Sequence, residues 1–210
     1  MMQMALTMIV SSRIAMHKSS ARVGAPLDTC LREIVGIVRI QVVPAATDRP
    51  YKTLVTTGMS DYAMTAPAGA EDYRHIELFM HLPADWPLSQ EAWNEPNHYW
   101  PIEWMRLIAH YPETSPVFLA SEQTIGSSPP RPFAPDTNLS SMMLLADPTD
   151  FGCLRLTDGR TVRFYQLLPL YEEERALKEC KGTWALLDRL EHYGVTQIVQ
   201  PDRINVGIAA

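Results

Sequence analysis

The spacing of apolar positions changes several times along the chain, and each change marks an element. In "RHIELFMHL", Arg74–Leu82, the residues Ile76, Leu78, Met80 and Leu82 recur at every second position. That is the period of a strand with one firmly buried face. His75, Glu77, Phe79 and His81 fall on the opposite face. "IVRIQVV", Ile37–Val43, and "YKTLVTT", Tyr51–Thr57, are rich in β-branched residues and flank the turn sequence "PAATDRP". They predict two hairpin strands. Gly58 ends the second, at a point where the chain can take a positive φ.

Other segments repeat at helical spacing. "YWPIEWMRLIAHY", Tyr99–Tyr111, predicts a helix with Pro101 in its first turn and an apolar stripe of Ile102, Met105, Leu107, Ile108 and Tyr111. "EEERALKECKGTWALLDRLEHYG" is helical, with a break near Gly182 and a stop at Gly194. A shorter helix is expected over "TCLREIVG", capped by Asp28, with Leu31, Ile34 and Val35 on one side. "PVFLASEQTI" and "LSSMMLLAD" read as strands, separated by "GSSPPRPFAPDTN", a loop with four prolines. "FGCLRLTDGRTVRFYQLLPLY" is the clearest hairpin, because Asp158-Gly159 sits between two strand-like runs. The tail "VTQIVQPDRINVGIAA" reads as an edge strand or loop. About seven strands with three or four helices inserted among them give an α+β fold, a mixed and mainly antiparallel sheet with helices packed on it.

Composition narrows the class. The chain has 210 residues, and 17 prolines favour short elements joined by fixed turns. Residues 1–25 are read as a poorly ordered N-terminal extension and residues 26–210 as one domain. The apolar run Met4–Val10 has no basic segment before it and is too short to span a bilayer, so no membrane is expected. A net charge of -6 argues against a nucleic-acid partner. Cys30, Cys153 and Cys180 form no C-x-x-C pair, and their spacing fits reduced thiols in cytoplasm.

Candidate chemistry is sparse. G-x-S-x-G, H-E-x-x-H, G-x-G-x-x-G and the phosphate-loop pattern are all missing. His75 and His81 share a strand face but stand about 20 Å apart, too far for one ion. Glu172, Glu173 and Glu174 open a helix, where acidic side chains meet the positive dipole end. Glu71 and Asp72 lie in a loop before a strand, a commoner place for function. No metal and no cofactor is expected.

The order of segments then becomes informative. T-T-G-M-S-D at 56–61, I-E-L-x-M-x-L-P-x-D-W-P at 76–87 and P-L-Y-E-E-E at 169–174 occur in one chain. In combination, from about Ile37 to Val206, they resemble the Suppressor of fused domain family in its bacterial single-domain form. "DTCLREIVGIVRI" and His75 depart from the family pattern. The resemblance implies a domain without catalytic activity. Eukaryotic relatives with a second domain bind a transcription-factor peptide as an added strand, and bacterial relatives resemble immunity proteins that neutralise polymorphic toxins. The expectation is therefore a non-enzymatic protein-binding domain, with a toxin domain or an extended peptide as partner. A hydrolase using the Glu71-Asp72 loop, or a regulator acting by strand addition, are the alternatives. The expected contact residues are Glu71, Asp72, Trp93, Tyr99, Trp100, Arg131 and Phe133. Gly58, Asp61 and Trp86 are expected to hold the fold, with Asp61 capping its own turn.

Overall fold

The computed structural model describes residues 30–31, 38–147 and 152–209. The extension expected at 1–25 lies outside them, as do Asp28, Thr29 and residues 32–37. The helix expected across 29–36 is corrected near its start, the only part of it among the described residues. Cys30–Leu31 form a two-residue strand, β1, whose backbone pairs with Gln41 and Ile40.

Seven further strands complete one sheet. They are β2 (Arg39–Val43), β3 (Tyr51–Thr57), β4 (His75–Pro83), β5 (Thr124–Gly126), β6 (Leu139–Ala146), β7 (Cys153–Arg155) and β8 (Thr161–Tyr171). Their order is β1-β2-β3-β4-β8-β6-β5, with β7 beside β8. Among the described strands only the central β4–β8 pair is parallel, so the sheet is mixed and mainly antiparallel. Three α-helices are described: α1 (Pro96–Thr114), α2 (Glu172–Lys181) and α3 (Thr183–His192). The predicted break at Gly182 separates the last two, and Gly182 has φ 90. None of them is long and apolar enough to cross a membrane.

Both faces of the sheet are covered. On one, Leu54, Ile76, Leu78, Met80, Leu82 and Tyr165 join Trp100, Ile102, Met105 and Ile108 of α1 in the main core. On the other, Leu168, Leu170 and Met143 meet Leu186 and Leu190 of α3 and Val206 of the tail. A smaller cluster of Val55, Phe79, Val162 and Phe164 continues that second face. This corrects the expectation of one buried face on β4. Glu77, Phe79 and His81 are 1%, 2% and 4% exposed, because a central strand is covered from both sides.

Two boundaries also move. Helix α1 begins at Pro96 and runs to Thr114, so Pro101 sits inside it and not in its first turn. The strand expected over 116–125 shortens to Thr124–Gly126. Glu122, with φ 70, turns the chain just before it.

One irregularity organises the rest. β4 and β8 pair from His75↔Val162 to Phe79↔Gln166 and then part. The tail enters the gap. Ile198 bridges to His81 in parallel, Val199 N donates to His81 O at 2.9 Å, and Gln166 Nε2 donates to Gln197 O at 3.0 Å.

Candidate interaction surface

Buried ionisable groups are the first place to look for chemistry. Three stand out here, and each is held by groups of the fold. Glu77 Oε1 accepts hydrogen bonds from Gly58 N (2.9 Å), Ser60 N (3.1 Å) and Ser60 Oγ (2.7 Å), while Oε2 accepts from Thr56 Oγ1 at 2.7 Å. The turn after β3 can present those amides because Gly58 adopts φ 97. Burial pushes the Glu77 carboxyl up, and the donors from Thr56, Ser60 and Gly58 pull it back in part. Thus Glu77 of the next strand fills the turn, a role expected of Asp61. The Asp61 carboxylate instead lies 3.7 Å from Arg160.

Glu174 is fully buried and bidentate to Arg203, at 2.6 Å on each oxygen. Tyr171 N and Val206 N donate to the same carboxylate. His81 faces Thr53 Oγ1 at 3.0 Å through Nδ1. Burial, and secondly Arg49, hold its pKa down at about 4. No group of three or more potential metal ligands occurs among the described residues.

The expected contact residues separate into two places. Glu71 and Asp72 are exposed on a single 3-10 turn, Glu71–Tyr73. Glu71 takes a hydrogen bond from Gly69 N at 3.1 Å, and its carboxyl is held below the usual value by the turn's own amides. Arg163 of β8 fastens this turn, donating to Asp72 O and stacking 4.0 Å over the Tyr73 ring. The aromatic group gathers elsewhere, around the start of α1. Trp100 (1% exposed) and Phe133 (8%) stack at 5.2 Å between ring centres. Those two rings are core and not surface. Trp93 and Tyr99 are half-buried against the same core, 6.4 Å apart. Arg131, two residues before Phe133, is exposed.

Two apolar residues of α1 that the spacing assigns to the core are exposed instead. Leu107 and Tyr111 belong to the predicted apolar stripe, yet they are 54% and 40% exposed. At about 100° per residue, Leu107 points roughly 200° away from Met105. The stripe that reaches the core is Ile102, Met105, Ile108, Ala109 and Pro112. A stricter helical projection finds this signal. Leu107 and Tyr111 stand one turn apart on the outer face. Beside them Tyr99, Glu103, Arg106, Leu107 and His110 line a shallow cleft of about 270 Å³. Arg106 Nη1 donates to Tyr99 OH at 2.8 Å and fixes the cleft's polar end.

The sequence model described as Suppressor of fused protein (SUFU) matches residues 33–204. The chain belongs to the Suppressor of fused family. Direct comparison with individual curated proteins gives no match. Solved structures agree on the fold. A chain of the Sufu-Fu complex crystal structure superposes with TM-score 0.56 at 16% identity, covering 80% of this chain and 76% of that one. A Suppressor of fused homolog from Neisseria gonorrhoeae FA 1090 gives TM-score 0.53 at 16% identity, covering 90% and 86%. Drosophila Suppressor of Fused gives TM-score 0.54 at 15% identity; 80% of this chain aligns, spanning 42% of that chain. The family motifs now have physical meanings. T-T-G-M-S-D supplies the donors that surround the Glu of I-E-L, and the last Glu of P-L-Y-E-E-E is the partner of Arg203.

Proposed function

We propose that this Suppressor of fused domain is a non-catalytic protein-binding module that docks through the outer face of α1. The observation that carries this reading is the Leu107–Tyr111 ridge. It exposes two large apolar side chains on a helix whose other face is locked into the core. Exposed apolar groups beside half-buried aromatics and an arginine are typical of interface centres. Trp93, Tyr99 and Arg106 provide that setting, and Arg131 lies on the loop leading to the same aromatic core. A relative solved as the Sufu-Fu complex supports a docking role for the family fold.

The net charge of -6 suits a basic partner, and a secreted toxin domain neutralised by this chain is the finer form of the proposal. The exposed thiols of Cys153 and Cys180 suit a reducing compartment such as the cytoplasm. Strand addition at the β5 edge would have only three residues to pair with, leading into the four-proline loop. A hydrolase reading finds Glu71 engaged in its own turn.

The test compares affinity capture by the wild-type chain with capture by a Leu107→Asp/Tyr111→Ser variant. Both should melt at the same temperature, since neither side chain is buried. A partner held by the wild type and lost by the variant is expected. Identical captured proteins from the two would overturn the assignment to α1.

A further inference from the structure

Where β4 and β8 part, the second sheet face opens into a cleft of about 350 Å³. Buried Leu168 and Leu190 line it together with half-buried Leu145, Leu187 and Val195. Gln166, Thr196 and Gln197 add polar groups to the lining, and Glu191 adds a carboxylate. Helix α3 carries this lining outward. Trp184, one turn before Leu187, is 73% exposed. At about 100° per residue, Trp184, Leu187, Asp188 and Glu191 share one stripe of the helix. Asp188 and Glu191 are exposed. Among the described residues neither carboxylate has an ion pair. Arg189, between them in sequence, is engaged elsewhere: it donates to Ala209 O and lies over the Tyr193 ring. An apolar cleft, an exposed tryptophan and two unpaired carboxylates therefore stand side by side.

We propose that this cleft is a second docking site, taking a basic peptide segment of a partner protein. The segment sinks one large apolar side chain between Leu168 and Leu187 and sets a neighbouring Lys or Arg against Asp188 and Glu191. The cleft is at the small end of binding-site volumes, which suits an anchor side chain and not a whole helix. The carboxylates choose the sign of the charge beside that anchor. The Trp184 ring offers its face to the same cation. A second copy of this chain, with its net charge of -6, and an anionic lipid surface are both disfavoured by the same carboxylates. The site lies on the sheet face opposite α1 and does not depend on the Leu107–Tyr111 ridge.

The experiment pans a phage-displayed library of random dodecapeptides against the wild-type chain. Enriched peptides should carry a large apolar residue next to Lys or Arg. One of them, synthesised and titrated, should shift the tryptophan emission, and Trp184→Phe should remove that shift. Asp188→Lys/Glu191→Lys changes only exposed positions and should melt near the wild-type temperature. It should bind the peptide about tenfold more weakly. Leu187→Lys, whose stem can lie along the cleft with its ammonium in water, should abolish binding. The Leu107→Asp/Tyr111→Ser variant should bind the peptide normally, so the two proposals fail separately. Three results would overturn the inference: a wild type that enriches no peptide, enrichment of peptides without basic residues, or equal affinity of wild type and Asp188→Lys/Glu191→Lys for the enriched peptide. Uptake of phosphatidylserine vesicles in place of peptides would do the same.

Discussion

Glu77 and Ser60 meet at 2.7 Å between carboxylate and hydroxyl, in a place closed to water. The contact ties the turn after β3 to the middle of β4. Its chemistry gives a sharp prediction, because Thr56 Oγ1 has a second acceptor nearby, Leu78 O at 3.4 Å. In Glu77→Gln the amide oxygen can keep the three donors from Gly58 and Ser60. The Thr56 hydroxyl can turn to Leu78 O. The cost should be about 1 kcal/mol or less. Glu77→Ala strands the three buried donors of Gly58 and Ser60 and should cost about 3–5 kcal/mol. Urea denaturation distinguishes the two, and equal losses would refute the arrangement. An acid whose folded pKa is raised favours the fold below its unfolded value, and that advantage fades as pH rises through the folded one. Glutamine, which does not titrate, should remove this slope.

His81 gives the opposite pH dependence. Its pKa falls from 6.5 to about 4 on folding. Between those values the unfolded chain takes up a proton that the folded chain refuses. Stability contributed here is present above the unfolded value and is lost as pH drops toward 4, by about 3 kcal/mol in all. His81→Asn should flatten the dependence between pH 6.5 and 4.5. A variant with the wild-type slope would show that other groups set it.

Arg203 should be far less replaceable than its place in the tail suggests. It pairs with Glu174, caps Pro169 O at 2.9 Å and lies 4.9 Å from the Tyr171 ring centre. Arg203→Ala leaves a buried carboxylate without its cation and should cost about 3–5 kcal/mol. Arg203→Lys should rescue poorly, since a lysine lacks the two-pronged fork. Hydrogen exchange at Val199 N and Val206 N should accelerate in both. Unchanged protection there would mean that the tail is held by something else.

Gly207 is needed for close approach. A Cβ there would lie 2.5 Å from Glu173 C and 2.6 Å from Glu174 N. Gly207→Ala should push the tail off the start of α2 and lower stability by about 1–3 kcal/mol. A melting curve that matches wild type would contradict the packing described.

β4 is legible because it carries its own alternation, and the hairpin at Asp158-Gly159 because the turn residues are local, whereas Cys30–Leu31, read as helix, is too short to show any period. Gly159 indeed takes φ 89. The burial of Glu77 was not legible. Its donors lie 17 to 21 residues earlier, and no local pattern reports a partner at that range. Glu174 looked like a helix-dipole residue for the same reason, since Arg203 follows 29 residues later. The outer face of α1 was half legible. Trp93, on the turn before α1, and Tyr99 are expected contacts as aromatics, but a stripe drawn too wide assigns Leu107 and Tyr111 to the core. Trp100 and Phe133 are expected contacts from residue type, and type alone does not separate a core ring from an exposed one.

The seam between β4 and β8 has a consequence for how the protein is made. His81 emerges from the ribosome early, yet the segment that covers its carbonyl, at Ile198–Val199, is synthesised more than half a chain later. Long-range pairings of this kind are slow to form. Until that stretch has cleared the exit tunnel, a nascent chain carries an open slot in the middle of its sheet, where chaperones would find backbone to hold.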